Sequence, residues 1–143
     1  MTTTADKIIV ALDVPTKERA LKLVEQLRGE ISFFKIGLQL YTAEGPEIVR
    51  AVLATGAKVW LDLKLYDIPN TVARAVESAS NLGAQMLTIH LSGGSDMGTK
   101  RGFLRINLFE QFANSPALRK IKLHLVNSNE FTQLRIKLHS HFH

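Results

Sequence analysis

An α/β fold on parallel strands is what this sequence predicts, and three observations carry that expectation. Short runs rich in β-branched and aromatic residues alternate with longer stretches of helical periodicity. The strand-like runs begin near residues 8, 33, 59 and 85, at intervals of 25, 26 and 26. Each of these runs carries an ionisable residue near its C-terminal end. Strands alternating with helices at such a period imply right-handed crossovers and a parallel sheet. A (β/α)8 barrel is one arrangement that satisfies the pattern, and a doubly wound sheet is the other. A complete barrel takes about 250 residues, whereas the 143 residues here supply about four β/α units and a tail.

The elements follow in order. "KIIVALD" (7–13) is a short β-branched run, a buried strand by its composition. "TKERALKLVEQL" (16–27) places Ala20, Leu23, Val24 and Leu27 at helical spacing, with Thr16 as N-cap. "SFFKIG" (32–37) reads as the second strand. "GPEIVRAVLATG" (45–56) is a helix with Pro46 at its first position and Gly56 beyond its end. "AKVWLDLKL" (57–65) is the third strand, "PNTVARAVESASNLG" (69–83) a helix with Asn70 as N-cap and Gly83 closing it, and "AQMLTIHL" (84–91) the fourth strand.

Composition bounds the function. Hydrophobic residues make up 45% and charged residues 22%, which is ordinary for a globular protein. No apolar run approaches the ~20 residues of a membrane span, and "MTTTADKIIV" has no signal-peptide pattern. The chain has no cysteine, hence no disulfide framework and no thiolate chemistry. The expectation is a cytoplasmic protein without membrane contact. The net charge of +5 is unevenly placed. Residues 1–94 carry ten Lys/Arg and ten Asp/Glu, residues 95–143 eight and three, so the whole excess (8 − 3 = +5) lies in the tail. The high pI reports that tail, and no nucleic-acid partner is expected.

Side chains alternate across a strand. On the third strand Leu61, Leu63 and Leu65 fall on one face, and Asp62, Lys64 and Tyr66 on the other. Asp13 ends the first strand, Lys35 interrupts the second, and His90 comes late in the fourth. In parallel α/β folds that edge holds the active site. Charges there are seldom buried unless paired, so "DLKLYDIPNT" (62–71) poses the central question. It sets acid, base and acid at the end of a core strand and stops it with Ile68-Pro69.

The segments "ALDVPT", "FFKIGLQLYTAEGP", "DLKLYDIPNT" and "TIHLSGG" together resemble the orotidine 5′-phosphate decarboxylases over about residues 7–97. The resemblance implies a (β/α)8 barrel of the TIM-barrel family acting as a homodimer, without cofactor or metal, on orotidine 5′-phosphate in pyrimidine synthesis. It implies that Lys64 is the ammonium that stabilises charge left on C6 as CO2 departs, and then protonates that carbon. Flanking carboxylates favour its charged form. Asp62 resembles the aspartate facing the substrate carboxylate. Lys35 resembles the residue linking ribose to the charged network, and Asp13 the one that binds substrate hydroxyl and pyrimidine-side groups. Ile68 would pack near the base, and Asp67 and Thr71 would reach the neighbouring subunit's site. His90 is a further candidate. Sister enzymes that share Asp-x-Lys-x-x-Asp, the Mg2+-dependent sugar-phosphate decarboxylases and aldolases, carry an acid on strand two. Here that strand offers Lys35, a cation that would repel Mg2+.

Beyond "SGGSDM" the resemblance fails. The family would continue with further units, a mobile loop and a glycine-rich phosphate grip with an arginine, and none is visible. The expectation is therefore a barrel truncated to its first four units (1–97), followed by a divergent basic tail (98–143) without helical or strand periodicity. A frameshift or misjoining near residues 95–98 is the simplest account of it. "SPALRKIKLHLV" is compatible with helix or strand, Gly93-Gly94 with a plain turn, and His139, His141 and His143 with a shared face. A chain of this kind is expected to be poorly active. Its alternative role is a non-catalytic half barrel that pairs with something else.

Overall fold

The computed structural model describes residues 8–90, 122–127 and 130–135. The chain divides into two compact units. One holds the residues up to Leu63 with Leu82–Gln85, and the other Lys64–Asn81 with those from Met86 on.

In the first unit the order is β1 (Val10–Ala11), α1 (Lys17–Gln26), β2 (Phe33–Gly37), α2 (Leu38–Glu44), α3 (Pro46–Ala54) and β3 (Lys58–Leu65), whose last two residues belong to the second unit. The strands are parallel. Val10 and Ala11 pair with Phe34 and Lys35, and Phe33–Gly37 pair with Lys58–Asp62. One face of these strands, carrying Phe34, Ile36, Val59 and Leu61, is fully buried, while on the other Asp62 is buried and Phe33, Lys35 and Trp60 keep partial exposure. The helices contribute Ala20 and Val24, Leu40, and Ile48, Val49 and Val52 to the same core. Burying one large aliphatic side chain is worth about 1.5–3 kcal/mol, so this cluster fixes the sheet from which the polar residues project.

Local chemistry sets the helix ends. The Thr16 hydroxyl accepts from the Arg19 amide at 3.4 Å and caps α1. Glu18 lies in that first turn. Hydrogen bonds, first from its own backbone amide and then from Thr16, hold its carboxyl below the usual glutamate range. Gly45 closes α2 and opens α3 with φ 66° and ψ −161°, a conformation essentially restricted to glycine, and Pro46 follows at the first helical turn. Residues 82–85 join this unit through Gln85, whose amide donates to the Val59 carbonyl at 2.9 Å while its Oε1 accepts from the Val59 amide at 2.6 Å.

In the second unit α4 (Pro69–Asn81) precedes β4 (Met86–His90), β5 (Lys122–Asn127) and β6 (Glu130–Arg135). Helix α4 buries Val72, Val76 and Ala79 at helical spacing, and Leu87, Thr88 and Ile89 of β4 are buried. Strand β5 runs parallel to β4, from Met86 beside Lys122 to His90 beside Val126, and β6 turns back antiparallel on β5.

Four expectations change. The segment 38–44, which the sequence reading left without an element, is α2; Leu38 and Leu40 alternate like the strand before them, and only Leu40 is buried. Strand β1 is two residues long, shorter than the run 7–13. Helix α4 begins at Pro69, so Asn70 lies inside it and is not its N-cap. The tail is not without strand periodicity, for "KLHLVN" alternates Leu123 and Leu125 with polar residues and lies along the edge of β4. An edge strand's unpaired amides and carbonyls are a template for such an addition.

Candidate active site

Register explains how the first unit gathers its charges. Ala11 stands opposite Lys35, and Gly37 opposite Asp62. Asp13, two residues beyond Ala11, therefore comes level with Gly37 and Asp62. Lys35 precedes Gly37 by two residues and shares its face. Gly37 has no side chain, so the lysine can extend past it. Its Nζ reaches 3.7 Å from Asp13 Oδ1 and 3.6 Å from Asp62 Oδ2. A Cβ built on Gly37 would meet Asp13 Oδ1 at 3.5 Å, so alanine fits there and a longer side chain would crowd the carboxylates. The Lys35 and Asp62 side chains are 22% and 11% exposed and that of Asp13 is 69% exposed, so the Asp62 pair is the less screened.

In the second unit Lys64 is exposed and has φ 51°, the left-handed region that side-chain-bearing residues rarely occupy. Simple alternation therefore does not run through Lys64, and the expectation that Asp62, Lys64 and Tyr66 share one face by periodicity alone is corrected here. Such strain persists where surrounding structure imposes it, and it concentrates at functional sites. Asp67 accepts a hydrogen bond from the Ile68 amide through Oδ1 at 2.7 Å. Ile68 is 66% exposed, an unusual position for a large aliphatic residue, and Thr71 is exposed on the first turn of α4. His90 at the end of β4 meets the Tyr66 ring edge to face, with centroids 5.9 Å apart at 79°.

The structure thus brings Asp13, Lys35 and Asp62 together in the first unit, and pairs His90 with Tyr66 in the second. Lys64, Asp67, Ile68 and Thr71 follow one another along β3, its exit and α4. Sequence reasoning missed Gly37. The signal was there, since a glycine two residues after a strand lysine leaves that face open. Gly93-Gly94, His139, His141 and His143 lie outside the described residues.

Residues 6–100 match the family model of the orotidine 5′-phosphate decarboxylase / HUMPS family. The chain belongs to this family. A family member from Carboxydothermus hydrogenoformans, named orotidine 5′-phosphate decarboxylase, is 48% identical over 93 residues, 65% of this chain and 39% of that protein. The enzyme of the same name from Opitutus terrae is 50% identical over 90 residues, 63% of this chain and 39% of its own. The crystal structure of the Lactobacillus acidophilus orotidine 5′-phosphate decarboxylase superposes with a TM-score of 0.61 at 30% identity, covering 82% of this chain and 51% of that one. The family's fold is an α/β barrel, one of the two arrangements the strand–helix period left open and the one the resemblance implied. The chain spans about two fifths of the length of these two curated relatives, 39% in each. The matched segment includes all eight residues singled out from the sequence: Asp13, Lys35, Asp62, Lys64, Asp67, Ile68, Thr71 and His90. Among the described residues no helix is long and apolar enough to cross a membrane.

Proposed function

We propose that residues 1–97 carry the charged half of an orotidine 5′-phosphate decarboxylase site, and that the non-matching tail, residues 98–143, supplies none of it. The observation that carries this reading is the Lys35 ammonium between the Asp13 and Asp62 carboxylates, with Asp62 two residues before Lys64 in the family-matched string. The reaction breaks the bond between C6 of the pyrimidine and its carboxylate. The electron pair stays on C6 and CO2 leaves. Lys64 stabilises that carbanion as an ammonium and then transfers a proton to it, giving uridine monophosphate. Charge fixed in advance around the developing anion lowers the barrier without reorganisation at the moment of reaction.

In this reading Asp62 faces the substrate carboxylate, and Lys35 holds Asp62 in place while reaching the ribose. Asp13 binds substrate hydroxyl and pyrimidine-side groups, Ile68 packs against the base, and His90 lines the site beside Tyr66. Asp67 and Thr71 serve the neighbouring site of a homodimer. The protein works in the cytoplasm without cofactor or metal. The space between Asp13 and Asp62 that a Mg2+ would need is the space the Lys35 ammonium reaches, which favours the orotidylate branch over the sugar-phosphate one.

The experiment is a graft. Residues 6–94 replace the matching segment of the Carboxydothermus hydrogenoformans enzyme, which supplies the rest of the barrel, and loss of orotidylate absorbance is followed. Turnover within about tenfold of the parent supports the reading. A folded graft that binds uridine monophosphate but does not decarboxylate contradicts it.

A further inference from the structure

We propose that Glu44 is a positioning residue for the Asp13 carboxylate, an inference that takes its functional meaning from the reading of Asp13 as a substrate contact. Asp13 sits on the five-residue connection Leu12–Thr16 between β1 and α1. That connection is fastened at both ends to one piece of chain. Upstream, the amide of the fully buried Leu12 donates to the Lys35 carbonyl at 2.9 Å. Downstream, the amide of Lys17 donates to Glu44 Oε1 at 2.8 Å, across 27 residues and in a part-buried setting. Lys35 lies in β2 and Glu44 ends α2, which follows β2 without a loop. The two anchors therefore belong to one continuous segment that also carries Gly37, beside which the Asp13 carboxylate lies. Pro15 restricts the connection further by fixing its own φ.

The amides of a helix's first turn have no partner within the helix, and Thr16 already serves Arg19 locally. The contact from Glu44 adds what a local cap does not. It fixes where α1 begins relative to β2 and α2, and so where Asp13 stands relative to the Lys35 ammonium 3.7 Å away. A glutamate at the end of a neighbouring helix thereby acts on the charged network through the backbone, without touching it.

The test uses the full 143-residue chain and two readouts. Amide hydrogen exchange is followed at Leu12 and Lys17, the two hydrogen-bonded amides of the connection and its end. The Asp13 carboxyl carbon resonance is compared with and without Lys35→Met, a difference that reports how closely the lysine engages that carboxylate. Glu44→Ala is expected to speed exchange at both amides about tenfold while Val24 and Ile36 keep theirs, and to shrink the response of Asp13 to Lys35→Met by at least about half. Glu44→Gln, which keeps an acceptor, restores both. Thr16→Ala removes the local cap but leaves the Asp13 response as it was. If Glu44→Ala unfolds the chain, Glu44→Asp, one methylene shorter, is read in the same way. An Asp13 response unchanged by loss of the Glu44 acceptor overturns the proposal, as does a Glu44→Gln chain that behaves like Glu44→Ala. Neither readout needs turnover, so failure of the decarboxylase assignment leaves this result distinguishable.

Discussion

The Lys35 ammonium stands 3.6 Å from the carboxylate of Asp62, a buried residue in the strand alongside. Removing one partner of a buried pair costs more than the pair contributes, because a charge is left in a poorly solvated place. Lys35→Met is therefore expected to destabilise the fold by about 1–3 kcal/mol, below the fully buried figure because the lysine retains some solvent. Asp13→Asn, on a largely exposed carboxylate, should cost less than about 1 kcal/mol. Urea denaturation of the two variants checks the order, and an equal or inverted order contradicts it.

Lys64 has φ 51°. A residue with a Cβ is strained there and glycine is not. Lys64→Gly should therefore be more stable than Lys64→Ala by about 1 kcal/mol, despite the greater chain entropy glycine brings to the unfolded state. Thermal denaturation of the pair measures it. Equal stability would show that the left-handed backbone at this position is not maintained.

The N-terminus of α1 gives a pH dependence. Glu18's carboxyl is held below its ordinary range by its backbone amide and Thr16. The folded state thus binds this proton less readily than the unfolded one. The contribution to stability is present above the unfolded value of about 4.5 and fades as pH falls through the lower folded value. Glu18→Gln should flatten the stability profile below about pH 4.5 and leave the slope near neutrality unchanged. Thr16→Ala should cost about 1 kcal/mol at neutral pH.

Much of this was legible before any coordinates. The strand–helix period located β2, β3 and β4 to within a residue or two, because each is a short apolar run bounded by glycine or proline. Thr16 and Pro46 announced their helices by cap chemistry alone. The charged residues were found from their place at strand ends. Three things were not legible, each for a physical reason. Helix α2 hides because Leu38 and Leu40 continue the strand's alternation across Gly37. The kink at Lys64 hides because nothing in the residue type announces a left-handed backbone. The contact from Glu44 to Lys17 links residues 27 apart, which no local pattern encodes. Strand β5 of the tail was ambiguous in sequence because "KIKLHLV" is short, and pairing with β4 decides between helix and strand.

Metal dependence separates the two branches of the family. With the Lys35 ammonium reaching both carboxylates, decarboxylation by the graft should be unaffected by EDTA and unchanged by added Mg2+. Activity lost to the chelator and restored by Mg2+ would place the chain with the sugar-phosphate enzymes.

The central claim is that Lys64 acts on charge that develops only as CO2 leaves. Interactions made in the transition state and not in the ground state change kcat and spare binding. The measurement is kcat for orotidine 5′-phosphate, together with the Kd for uridine monophosphate, in the graft and in its Lys64→Ala variant. The account predicts that kcat falls by about a thousandfold while the Kd changes by less than about tenfold. A Lys64→Ala graft that keeps more than about a tenth of kcat would contradict it.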